Sequence, residues 1–287
     1  MTIRNPVEWG WEALSDAAIA VTAAGRAVLR VQDKRQAPAP TVRHITIGEL
    51  REVIARGVDD FGAYRSDIIF LCLIYPVVGL VLIRLAFGYD MLPLLFPLAS
   101  GFTLVGPIAA VGLYEMSRRR EQGVAITWGD ALGVVRSPAF GAIAVLGLIL
   151  LAIFGAWLGV AWAIYAATLG PAPPAAFDTF VHDVLTTPAG WSMIVVGFGV
   201  GFLFAVLVLA ISVVSFPLLI DRDVALGTAI RTSIRAVSVN PVPMAAWGLI
   251  VAGSLVLGSL PVFLGLIVIM PVLGHATWHL YRHVVAR

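Results

Sequence analysis

The sequence predicts an all-α, polytopic helical membrane protein with six transmembrane helices, and three observations predict it. Of the 287 residues 60% are hydrophobic and only 13% are charged, with a mean hydropathy of +0.94. Soluble domains carry about 25% charged residues, and a soluble fold of this length would hold more apolar surface than its core can hide. The apolar residues also gather into long runs, and the arginines, Arg84 apart, fall only into alternate loops. Disorder is excluded by the same composition, because disordered chains are polar and charged.

The elements follow in chain order. Residues 1–42 read as a cytoplasmic N-terminal region: a mildly amphipathic helix over 7–31, with Trp9 and Trp11 suited to an interface, then a linker over 36–41 with Pro38 and Pro40. Glu8, Glu12 and Asp16 precede any apolar run, the wrong order for a signal peptide. Residues 43–287 form the membrane domain. It begins with a helix capped by Thr46, whose apolar stripe is Ile47, Leu50, Val53, Ile54, Val58 and Phe61. Glu49, Glu52, Arg56, Asp59 and Asp60 take its other face.

Apolar runs then cover about residues 68–87, 91–114, 140–168, 191–220 and 244–280. The first two are close to the roughly 20 residues that cross a hydrocarbon core. The third and fourth must tilt or protrude. The fifth is too long for one crossing, and Gly258, Ser259, Leu260 and Pro261 supply a turn that divides it into spans 244–259 and 261–280. Between the third and fourth spans, Pro171, Pro173 and Pro174 precede a short helix with Phe177, Phe180, Val181, Val184 and Leu185 on one side and Asp178, His182 and Asp183 on the other. Such a helix lies flat on a membrane surface.

Charge sets the orientation, since Arg and Lys near span ends face the cytoplasm. Nine basic residues precede the first span; Arg118, Arg119, Arg120 and Arg136 follow the second; Arg222, Arg231 and Arg235 follow the fourth; Arg282 and Arg287 follow the last. The three opposite loops have none, and Arg84 alone is left near an outer span end, where it snorkels. Both termini are therefore expected in the cytoplasm, which requires an even number of spans.

An internal repeat points to the same count. Ile45-Thr46-Ile47-Gly48-Glu49 recurs as Ile126-Thr127-Trp128-Gly129-Asp130, each a capping box ahead of a span pair, and Leu226-Gly227 is a weaker third copy. Tyr114, Glu115 and Arg118 follow Pro107 at the same offsets at which Trp278, His279 and Arg282 follow Pro271. The predicted unit is an amphipathic cytoplasmic helix followed by a membrane hairpin, three times over.

Four stretches carry a family resemblance. They are Asp59-Asp60-Phe61, Leu71-Cys72-Leu73-Ile74-Tyr75-Pro76, Gly112-Leu113-Tyr114-Glu115-Met116-Ser117-Arg118-Arg119-Arg120 and Gly274-His275-Ala276-Thr277-Trp278-His279-Leu280-Tyr281-Arg282. From about residue 43 to the C-terminus the chain resembles an uncharacterised family of proteobacterial integral membrane proteins, domain of unknown function 2189. The resemblance implies a bacterial inner-membrane location and no agreed activity. Some members carry a label linking them to cytochrome c oxidase. An oxidase catalytic subunit needs histidines deep in several spans. Here His44 and His182 lie in surface segments, and His275, His279 and His283 share one helix end. The catalytic reading is excluded, and an accessory role to such an enzyme stays open.

The candidate site is a polar cluster at the inner span ends: Glu115, Arg118, Arg119, Arg120, Asp221, Arg222, His275 and His279. His275 and His279 share a helix face at i, i+4, so with Glu115 or Asp221 they are candidate metal ligands; equally, they are interfacial groups that satisfy helix ends and headgroups. The arginines read as an anionic-lipid site or as orientation signals. Glu115 is expected to accept a hydrogen bond from His275 or His279. Gly155 with Gly159, and Gly197 with Gly201, form Gly-x-x-x-Gly faces that predict a close approach of the third and fourth spans. Cys72 is alone, so no disulfide is expected.

These readings lead to a protein without enzymatic activity or a cofactor, acting as a scaffold or accessory subunit of another membrane complex, respiratory in one version. Its expected partners are the lipid bilayer and a second membrane protein or copy of itself, and not nucleic acid. The alternatives are a transporter or channel for a small or apolar solute, and a metal- or cofactor-binding membrane protein.

Overall fold

The computed structural model describes residues 40–72, 77, 79–81, 84, 92–124, 134, 137–174 and 176–286. The predicted N-terminal helix over 7–31, most of the linker, most of the first apolar run and the repeat copy at 126–130 lie outside the described residues. Among those described, the regular secondary structure is all helical apart from one isolated bridge between Val42 and Val285. The helices are α1 (Ile47–Cys72), α2 (Leu95–Ala109) entered through a 3-10 turn at Leu92–Leu94, α3 (Val111–Glu121), α4 (Phe140–Thr168) and α5 (Phe177–Thr186). They continue with α6 (Pro188–Ser212), α7 (Ser215–Asp221), α8 (Leu226–Val239), α9 (Pro241–Ser259) and α10 (Leu266–Val284).

Four helical stretches are long and apolar enough to cross a membrane: Leu92–Glu121, Phe140–Thr168, Pro188–Asp221 and Pro241–Ser259. They coincide with the second to fifth predicted spans. The first stretch joins α2 to α3 through Ala110; Pro107 lies inside α2, where its missing N–H removes the ladder bond back to Thr103. The expected end at residue 114 is overrun, and the helix carries its arginines on to Glu121. The third stretch joins α6 to α7 across Val213 and Val214. Its 34 residues measure about 51 Å, well beyond the roughly 30 Å hydrocarbon core. One end must leave the lipid, and that end is the packed one: Val214, Phe216 and Leu218 are fully buried, while Val195, Phe198, Phe202 and Leu203 farther up are exposed.

α9 and α10 form the expected hairpin. The turn runs through residues 260–265, so α10 begins at Leu266 rather than at 261. Val262 and Phe263 take left-handed backbone conformations with φ of 53° and 63°. Such values are costly for a β-branched or bulky side chain. The chain crosses back tightly here, with a Cβ on Gly265 falling 2.7 Å from the Gly258 Cα.

The arrangement of α1 corrects its predicted face. Its start shows half of the expected capping box: the Thr46 N–H donates to Glu49 Oε2 at 2.6 Å, but the Thr46 hydroxyl donates to the same oxygen at 2.9 Å and the Glu49 N–H goes to the Thr46 carbonyl at 3.3 Å. Beyond it, Leu50, Val53, Gly57 and Asp60 form the buried line, whereas Ile47 and Val58 are exposed. This face lies along α10 in the most extensive helix pair among the described residues. A Cβ on Gly57 would sit 2.7 Å from the Ala276 Cβ and 2.8 Å from the Val272 carbonyl oxygen, so the two backbones touch there. On the other side of α10, a Cβ on Gly274 would meet Leu113 of α3 at 2.6 Å. α10 is thus held between α1 and α3 by glycines at its two seams.

The ends are fastened at the same, arginine-rich end of the bundle. The Arg43 N–H donates to the Val284 carbonyl at 2.7 Å, and the Ala286 N–H donates to the Thr41 carbonyl at 3.0 Å. Buried Asn240 accepts from the Ile45 N–H at 2.8 Å and donates to the Arg43 carbonyl at 3.0 Å. That one amide ties the entry to α1 against the junction of α8 and α9.

The expected Gly-x-x-x-Gly contact of α4 with α6 is also corrected. The two helices do pack, but the contact is Trp157, whose ring lies 3.1 Å from a Cβ on Gly201 and 5.5 Å from the Phe204 ring centroid. Gly155, Gly159 and Gly197 have nothing within 4 Å of such an atom. The reason is steric: the indole fills the space that a glycine–glycine approach would close.

Candidate functional site

Three polar networks occupy the arginine-rich end, built on α1, α3, α7 and α10. The first centres on Asp60, which is 5% exposed. Its Oδ1 accepts from Arg120 Nη1 at 2.6 Å. Its Oδ2 accepts from the Ser117 hydroxyl at 2.6 Å and faces His279 Nε2 at 2.9 Å. Ser117 Oγ also lies 2.7 Å from His275 Nδ1, which is 3.9 Å from Asp60 Oδ2. Burial pushes the Asp60 carboxyl up; the hydrogen bonds from His279 and Ser117 and the nearby imidazoles outweigh it and hold the group below its ordinary range.

The direction of these bonds limits the chemistry. An ionised Asp60 only accepts, so the Ser117 proton points to it, and Ser117 then accepts from His275 Nδ1–H. A serine nucleophile needs the opposite order, with its proton passing to an imidazole base. Here the hydroxyl stands between the imidazole and the carboxylate and joins three helices. His275 is fully buried, and its Nε2 has no hydrogen-bond partner among the described residues.

The second network is local to α3. Glu115 receives Arg118 through Nε at 2.7 Å and Nη2 at 2.8 Å, and Arg119 through Nε at 2.8 Å. The third links α3, α7 and α10. Asp221 Oδ2 accepts from the Tyr281 hydroxyl at 2.6 Å and from Arg282 Nη1 at 2.9 Å. Arg282 Nε donates to Glu121 at 2.8 Å and its guanidinium lies 4.9 Å from the Trp278 ring centroid. Arg222 reaches the carbonyl of Ala286 and lies 3.6 Å from Asp221.

The eight residues expected at one cluster therefore divide among three networks. Glu115 does not meet His275 or His279, because the arginines one turn along its own helix reach it first; the carboxylate beside the histidines is Asp60. Among the described residues no group of three or more His, Cys, Asp or Glu side chains is placed to hold a metal ion. Asp60, Ser117, Glu121, Tyr281 and Arg282 join the networks without having been expected at the site. The sequence signal for Asp60 is its place on the line of Leu50, Val53 and Gly57.

A cavity of about 410 Å³ lies nearer the bundle's middle, bounded by α2, α3, α6, α9 and α10. Two helix junctions border it, the α2–α3 junction at Ala110 beyond Pro107 and the α6–α7 break at Val213, and Met270, Leu273, Gly274 and Thr277 of α10 complete its lining. Small residues, among them Gly106, Ala205, Gly248 and Ala252, leave its walls thin. α6 and α9 converge at its foot, where Leu209 lies 3.5 Å from a Cβ on Gly248, and exposed Phe202, Val206 and Leu249 rim it outside.

No curated protein and no solved structure matches the chain. The long apolar helices and a family match agree on its class: this is an integral membrane protein whose residues 95–221 match the model of the family described as predicted integral membrane protein (DUF2189).

Proposed function

We propose that the protein is a non-enzymatic scaffold or accessory subunit of a membrane complex. In this reading residues 43–287 cross the bacterial inner membrane six times as three hairpin repeats, with residues 1–42 and the C-terminus in the cytoplasm. The arginine bias supports the orientation. The observation that carries the function is the outer face of α4. Ala152, Gly155, Gly159 and Ala163 are all exposed, and neither glycine is opposed by another group among the described residues. Small residues at this spacing let a second transmembrane helix approach closely.

The test is co-purification at native expression level with a Gly155→Ile/Gly159→Ile variant. The wild type is expected to carry a stoichiometric membrane partner or second copy that the variant loses, with the variant's own thermal stability unchanged. A wild-type protein that purifies alone contradicts the reading. Transport of an apolar solute is the second reading, favoured by the 410 Å³ cavity.

A further inference from the structure

We propose that the cavity between α6 and α9 holds an acyl chain of an anionic phospholipid whose headgroup is bound by Arg231 and Arg235. The walls are almost wholly apolar, and the size falls within the roughly 300–1,000 Å³ of ligand pockets. Exposed Phe202 and Leu249 at its rim place the mouth on the lipid-facing side of two membrane-compatible helices. A chain entering there meets no charged group along the lining.

The headgroup end is set by α8. This helix packs against α6 and runs directly into α9 through Asn240. Its buried face is small and polar: Thr228, Ala229, Thr232, Ser233 and Ala236. The Ser233 hydroxyl oxygen accepts from the Val214 N–H at 3.2 Å, satisfying the backbone freed at the α6–α7 break. The outward face carries Arg231, Ile234 and Arg235, all exposed. Among the described residues neither arginine has a carboxylate partner, in contrast to Arg118, Arg119, Arg120 and Arg282. Two guanidiniums without a carboxylate, one turn apart beside an exposed isoleucine, on the helix whose Ser233 reaches the α6–α7 break bordering the cavity, match a phosphate above an acyl chain.

The experiment is native mass spectrometry of the full chain after delipidation, with phosphatidylglycerol or phosphatidylcholine of identical chains added back. The wild type is expected to retain one phosphatidylglycerol. Arg231→Gln/Arg235→Gln should reduce the preference for that lipid by about 30-fold, the factor for two arginines at a membrane interface. Ala252→Phe, which fills the cavity, should abolish retention of both lipids. The surface arginine pair carries the test if Ala252→Phe fails to fold. Unchanged headgroup preference in the arginine variant, unchanged retention in a folded Ala252→Phe, or no retained lipid in the wild type would overturn the proposal. None of these outcomes depends on the α4 face.

Discussion

Asp60 is the residue on which the arginine-rich end turns, because one carboxylate joins α1 to α3 and α10. Removing one member of such a buried charged set costs about 3–5 kcal/mol. Asp60→Asn should therefore lower thermal stability in detergent sharply, and adding Ser117→Ala should cost less than the separate losses combined. The pH dependence has a definite sign. A carboxyl held low in the folded state contributes stability above its unfolded value of about 3.9 and loses it as the pH falls toward the folded value. The stability gap between wild type and Asp60→Asn should narrow as the pH falls below about 4. Additive variants with a pH-independent gap would contradict the role given to Asp60.

At this scale the sequence is half legible. His275 and His279 are recognisable as polar groups on a helix end. Their carboxylate is not, because the choice of Glu115 rests on a rhyme between two helices. Side-chain reach decides otherwise: Arg118 and Arg119 stand three and four residues from Glu115 on the same helix. In sequence Asp60 falls on the solvated face, since an acidic residue beside Asp59 looks exposed until Gly57 shows which line touches α10.

Among the elements, the α1–α10 seam makes the sharpest prediction. A methyl group at Gly57 has no room, whereas Gly62 on the same helix has nothing within 4 Å. Gly57→Ala should destabilise by about 1–3 kcal/mol through overpacking. Gly62→Ala should stabilise by up to about 1 kcal/mol through helix propensity. Thermal unfolding of the two variants separates these effects, and equal shifts would contradict the seam. The helices themselves are legible from long apolar runs, which report burial in lipid whatever their neighbours are. Their pairing is less so. Gly155, Gly159, Gly197 and Gly201 look alike in sequence, and only the position of Trp157 shows that Gly201 is the one occupied.

For the whole molecule, the polar networks and the arginines of α3, α8 and α10 gather at one end, while α5, between α4 and α6, carries Asp178, His182 and Asp183 and no basic side chain but the histidine, as a membrane protein with one basic side requires. Reporter fusions at Pro173 and after Arg136 should read opposite sides, with Arg136 cytoplasmic; the same side for both would contradict the proposed topology. The composition makes this class legible at once, while a partner's identity is written in another chain. The most direct measurement is photocrosslinking in native membranes from a reactive residue placed at Gly155, with Leu203 on exposed α6 as the control position. A discrete protein adduct from position 155, with lipid adducts alone from position 203, is the result predicted for a scaffold that docks through α4. Lipid adducts alone from both positions would contradict it.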